Sequence, residues 1–261
     1  MNRDLSNKIS FFHLFGILLV LPIHTTISGG ENFELFRKMF ILLCRSFQPI
    51  YFGIAGYLFF LGISESNLIE KFKEKIKSRF RSLFIPYILW NVIAVVVYIG
   101  LIYLGINSYL VKTAYEGLYE SSSIPQLLHF IFVHPINEHL WFLGDLIFVS
   151  VISPLVYFGL KYGKGWFLLA LILLVVVTDK TKCASLFSFS VGAWLAIFKI
   201  DVESRNSFLL SVAIVTFVGY IGYFSLTKSD TNIITMLSWS TAYLLWILYN
   251  ITPLCRVNWG G

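Results

Sequence analysis

Residues 71–105 read KFKEKIKSRFRSLFIPYILWNVIAVVVYIGLIYLG, and their change of character at Ser82 decides the fold class. Up to Ser82 the stretch is studded with Lys71, Lys73, Lys75, Lys77, Arg79 and Arg81, whereas no residue from Leu83 to Gly105 carries a charge. A helix rises ~1.5 Å per residue, so roughly 20 mostly apolar residues cross a hydrocarbon layer of ~30 Å. The second half of the stretch is long enough to span. The first half is the kind of short basic segment that stays on the cytoplasmic side.

The same pattern extends outward along the chain. Apolar residues make up 57% of the 261 positions and charged residues 13%, about half the charged share of an ordinary globular domain. The expected fold is all-α, a polytopic transmembrane helical bundle of about eight spans. Those spans are 9–28, 38–63, 83–105, 139–160, 165–179, 183–199, 207–226 and 232–251. The first follows Arg3 and Lys8 as a secretory signal would, but it outruns signal length and lacks an A-x-A-like site, so it reads as a retained signal-anchor. Cys44, Cys183 and Cys255 are widely spaced and form neither a disulfide framework nor a metal pattern. No short repeat or low-complexity tract divides the chain, and residues 1–261 read as one membrane domain.

Placing the basic segment 64–82 in the cytoplasm orients everything else by alternation. Thirteen Lys and Arg then lie inside: the six above with Arg3, Lys8, Lys161, Lys164, Lys199, Arg205 and Arg256. Six lie outside: Arg37, Lys38, Lys112, Lys180, Lys182 and Lys228. Both termini are therefore expected in the cytoplasm. Topology accounts for the net charge of +6, so a nucleic-acid partner is not expected. The longest outer loop, 106–138, holds Glu116, Glu120 and the short apolar stretch IPQLLHFIFVH (124–134), which is too short to span.

Ionisable groups at membrane depth cost several kcal/mol and mark candidate sites. In the first span His13 and His24 are eleven residues apart, which returns a helix to within about 20° of the same direction and separates them by about 16 Å along it. The second span carries Arg45 and Gln48 on one face, in its outer third. Snorkelling of Arg45 to the outer headgroups is the alternative to an inward polar site. Tyr87 and Trp90 at the start of the third span read as interface anchors. The fourth span opens with Glu138, His139 and Trp141 at the outer boundary and Asp145 one turn deeper. Orientation thus gathers His24, Arg45, Gln48, His139 and Asp145 in the outer half.

Four segments in order resemble the bacterial membrane acyltransferase family 3, of the sugar O-acetyltransferase type. HLFGILLVLPIHT (13–25) is similar to a first helix with an arginine, ten residues and a catalytic histidine, here His24. RSFQPIYFGIAGYLFF (45–60) is similar to a second helix through Arg45, Pro49 and Gly56. KSRFRSLFIPYILWN (77–91) resembles the basic segment leading into a Pro-Tyr and Trp helix, and HLWFLGDLIFVSVISPL (139–155) the Trp-Phe-Leu helix. SLFSFSVGAWLAI (185–197) is a weaker fifth match. The chain departs from the family with His13 in the arginine position, Ala55 before Gly56, and Gly144 where a basic residue is common. It also stops where the family continues through about two more helices, and so reads as a C-terminally shortened member.

The resemblance implies transfer of an acetyl or other short acyl group to a hydroxyl of a cell-surface or lipid-linked sugar. Acetyl-CoA is the implied co-substrate and no metal is required. The implied location is the bacterial cytoplasmic (inner) membrane, multi-pass and in contact with lipid. His24 is then the catalytic base, with Arg45 stabilising negative charge or binding the acceptor. His13, Gln48, His139, Trp141 and Asp145 would line the substrate path. A multi-pass transporter and an inactive, truncated relative with a scaffold role are the competing readings.

Overall fold

A computed structural model describes residues 3–23, 31–104, 140–178, 181–201, 207–227 and 234–251. Among them the structure is all-helical, as the apolar runs require, since a backbone in lipid must satisfy its own hydrogen bonds. The elements are α1 (Arg3–Ile23), α2 (Glu31–Phe60), a 3-10 turn (Glu65–Asn67), α3 (Leu68–Arg79), a π turn (Phe80–Phe84) and α4 (Ile85–Tyr103). Then come α5 (Trp141–Val151), α6 (Ser153–Thr178), α7 (Thr181–Ile197), α8 (Ser207–Thr227) and α9 (Ile234–Ile251).

Two helical runs among the described residues, Glu65–Val97 and Ser153–Thr178, are long and apolar enough to cross a membrane. Only 17% of the apolar window of each is buried within the protein, unlike the core helix of a soluble fold. Exposed apolar side chains continue along α6 and α8, reaching 82% exposure at Val177. Surfaces of that kind belong against lipid rather than water.

Several boundaries differ from those read in the sequence. The basic segment 64–82, expected as a loop, is helical and runs without a break into α4. Phe72 explains why: it is buried, and it gives the charged stretch an inward face. The expected span 139–160 breaks at Ile152, where the chain turns into Ser153–Pro154, a proline at an early helical position. The break expected between 160 and 165 appears as a kink inside α6, at Lys164 with φ 47°.

The chain divides into two compact units, residues 1–62 with 156–261, and residues 63–155. In the first unit α2 packs on α1, α7 and α9, and α8 packs on α9. Its core joins Leu5, Ile9, Phe11 and Phe12 of α1 to Phe47, Ile50 and Ile54 of α2 and to Ala242 and Tyr249 of α9. Helices in lipid associate through close packing of small residues, and α2 meets α7 in that way. A Cβ on Gly56 would collide with the carbonyl of Phe189, and one on Gly192 with the carbonyl of Gly53. Trp239 donates its indole N–H to the Ser188 hydroxyl at 2.9 Å, tying α9 to α7. In the second unit α5 packs on α3 and the π turn.

Candidate functional site

Of the seven residues singled out in the sequence, His24 and His139 lie outside the described residues. His13, Arg45 and Gln48 belong to the first unit, and Trp141 and Asp145 to the second.

His13 is exposed on α1 and faces Tyr51 of α2. Its ring stacks on Tyr51 with centroids 5.5 Å apart and planes 11° from parallel. The Tyr51 hydroxyl donates to the His13 backbone carbonyl at 2.6 Å. Tyr51 lies flat across α1 because Gly16, one turn beyond His13, has no side chain; any Cβ there would meet the phenol ring. Arg45 and Gln48 stand on α2 about two turns and one turn before Tyr51 respectively, with Arg45 exposed and Gln48 half-buried. This pair of helices therefore presents an imidazole, an amide, a phenol and a guanidinium. Pro49 lies within α2 without ending it.

Beneath His13 lies a residue that the sequence reading counted only as a flanking charge. Lys8 is 1% exposed, its ammonium 4.1 Å from the centre of the Trp246 ring and 5.8 Å from that of Tyr249. Phe12 packs on both rings, 5.2 Å from Trp246 and 6.0 Å from Tyr249, so the three form an aromatic box beside the cation. A cation over a desolvated aromatic face is stabilised by roughly 2 kcal/mol, which offsets part of the cost of its burial. The box joins the second turn of α1 to the last turns of α9. No spacing rule could reveal it, because the partners are at opposite ends of the sequence.

In the second unit Asp145 is 3% exposed on α5, one turn beyond the partly exposed Trp141. Tyr87, expected as an interface anchor, is instead 5% exposed. Its ring turns toward α5 and stands 3.7 Å from where a Cβ of Gly144 would be. A Cβ at 144 would meet that ring at ordinary van der Waals distance. Trp90, by contrast, is exposed as an anchor should be. Asn91 is fully buried and donates to the Tyr87 carbonyl at 3.0 Å. Ser150 and Ser153 return their hydroxyls to backbone carbonyls one turn back, so they are satisfied locally.

The basic helix α3 forms a second polar region. An open groove of about 480 Å³ is lined by Glu74, Lys77, Ser78, Arg81 and Ser82. The Lys71 ammonium donates to Glu74 at 2.7 Å, and this hydrogen bond holds it above the usual lysine range. Burial, then the charges of Arg79 and Lys71, push Lys75 below that range. The i, i+4 pairs Lys77/Arg81 and Ser78/Ser82 were visible in the sequence, but only a helix places each pair on one face. Among the described residues no group of His, Cys, Asp and Glu is arranged to hold a metal.

The described polar groups that α1 and α2 bring to the candidate site are His13, Arg45, Gln48 and Tyr51. In comparison with known families, the acyltransferase domain of acyltransferase family 3 matches residues 9–260. No curated protein and no solved structure matches the chain. With that match covering nearly its whole length, the chain belongs to the acyltransferase 3 family and is an acyltransferase.

Proposed function

We propose that the protein moves an acetyl or other short acyl group from a CoA thioester in the cytoplasm to a hydroxyl of a cell-surface or lipid-linked sugar. The family match over residues 9–260 carries this reading. In it, His24 takes the proton of the acceptor hydroxyl as that oxygen attacks the thioester carbonyl carbon. The carbon–sulfur bond then breaks and the thiol departs with a proton. Arg45 stabilises charge on the carbonyl oxygen or holds the acceptor, and Gln48 orients either substrate. Helical spacing over the eleven residues from His13 to His24 suits the two ends of a path for the donor. His139, Trp141 and Asp145 are assigned to the acceptor side.

Exposed apolar faces on α4, α6 and α8 support a multi-pass protein of about eight spans in the bacterial inner membrane. The meeting of Lys8 with Trp246 and Tyr249 supports having both termini on one face, the cytoplasmic one. Nucleic acid has no part in this reading. The deciding experiment reconstitutes the protein in vesicles loaded with radiolabelled acetyl-CoA and supplies surface glycan outside. Label should reach glycan hydroxyls with the wild-type protein and fall at least a hundredfold with His24→Ala. Equal labelling by a His24→Ala protein that inserts normally would refute the assignment of the base. A substrate that crosses the membrane without acyl transfer would favour a transporter.

A further inference from the structure

The ridge Lys73–Lys77–Arg81–Ile85–Leu89 ascends α3, the π turn and α4 in steps of four, so one line of side chains runs along a single continuous helix. Every member is exposed, Ile85 by 52% and Leu89 by 55%. The ridge changes from cationic to apolar between Arg81 and Ile85, where the apolar span begins. Beside its lower half lies the groove lined by Glu74, Lys77, Ser78, Arg81 and Ser82. The carboxylate in that groove is engaged by Lys71, which leaves two cations and two hydroxyls as the groove's remaining polar groups. Phe80, one residue before Arg81, is 54% exposed although it sits among charges. A soluble anion would account for the cations and not for the apolar continuation above them. A molecule with a phosphate at one end and a hydrocarbon chain at the other accounts for both.

We propose that this ridge and groove form a binding site for one anionic phospholipid of the cytoplasmic leaflet. Its phosphate lies at Lys77, Arg81, Ser78 and Ser82, and an acyl chain follows Ile85 and Leu89. The site rests on the membrane-spanning reading of α4 and is independent of the acyl-transfer chemistry. Juxtamembrane Lys and Arg near an acidic leaflet each add modestly to the attraction, and the effects accumulate. A lipid with net negative charge is favoured over a zwitterionic one because Lys73 adds a third cation to the row.

The test uses the full chain, purified in a neutral detergent and titrated with phosphatidylglycerol, phosphatidylcholine or glycerol phosphate. Retained lipid is counted by native mass spectrometry, and the unfolding temperature is read in parallel. Phosphatidylglycerol should bind and raise that temperature; the other two should not do so at equal concentration. The double variant Lys77→Glu/Arg81→Glu removes two exposed cations and should weaken phosphatidylglycerol binding about thirtyfold or more. Lys77→Gln/Arg81→Gln, which introduces no repulsion, should still weaken it measurably. Leu89→Asn should weaken phosphatidylglycerol and leave any glycerol phosphate binding alone. Unchanged phosphatidylglycerol affinity in either double variant would overturn the proposal. So would equal binding of glycerol phosphate, which would make this a site for a soluble phosphate compound.

Discussion

Replacing Trp246 with leucine is the sharpest probe of the first unit, because it strips the aromatic face from a cation that cannot leave. Lys8 is 1% exposed and lies 4.1 Å from the Trp246 ring centre. At that distance and burial the ring contributes roughly 2 kcal/mol. Lys8→Met behaves differently. It loses the same attraction but also removes the several-kcal/mol cost of holding an ammonium out of water, with a side chain of similar length. The two single variants should therefore be unequal: Trp246→Leu costs about 2 kcal/mol or more, and Lys8→Met stays within about 1.5 kcal/mol of wild type. The double variant should cost less than the sum of the two single ones, since the cation–ring attraction is lost only once. Reversible unfolding in mixed detergent micelles, read by far-ultraviolet circular dichroism, gives all four corners of the cycle. If Lys8→Met costs as much as Trp246→Leu, or the two effects simply add, the aromatic box is not what accommodates Lys8.

Two further outcomes follow from packing and charge. Gly56→Ala should destabilise the protein by about 1–3 kcal/mol, because the new methyl group meets the backbone of Phe189 and Ala193. The control Gly219→Ala, where nothing lies within 4 Å, should be neutral or gain up to about 1 kcal/mol; thermal unfolding distinguishes them. The lowered Lys75 means that folding disfavours its charged form, so stability should rise as pH climbs from the lowered value toward the ordinary ~10.4. Lys71, held above that value, loses its contribution only at still higher pH, so it leaves this window clear. Lys75→Met should flatten that rise, measured by unfolding midpoints, and a profile unchanged by that substitution would contradict the burial of Lys75.

Helix positions near the C-terminal end were legible because uniformly apolar runs are bounded there by polar residues. The expected 207–226 and 232–251 meet Ser207–Thr227 and Ile234–Ile251 within two residues. Legibility failed where two signals share one stretch. In α3 the dense lysines mark topology, and they hide Phe72 and Ile76, whose spacing is the helical sign. Around Ile152 the apolar run continues through the break, so hydropathy alone shows no interruption. The site was legible as a set of residue types and not as a set of contacts. Arg45 and Gln48 could be placed on one face of α2 by counting. That Tyr51 clasps the His13 carbonyl depends on Gly16, whose role is to be absent as a side chain. Lys8 shows the opposite failure: a charge at a helix start satisfies the topology rule so well that nothing prompts a search for its partner.

The contact of α2 with α7 has a consequence for motion. Where Gly53 and Gly56 meet Phe189 and Gly192, backbone lies on backbone, with no flexible side chains between to absorb a slide or a rotation. A shift of one helix past the other by a single residue would drive Cβ atoms into carbonyl groups. The two helices are thus obliged to travel together, as a beam with Arg45 and Gln48 mounted on it. Any opening and closing that admits a substrate beside that beam must be carried by the other helices.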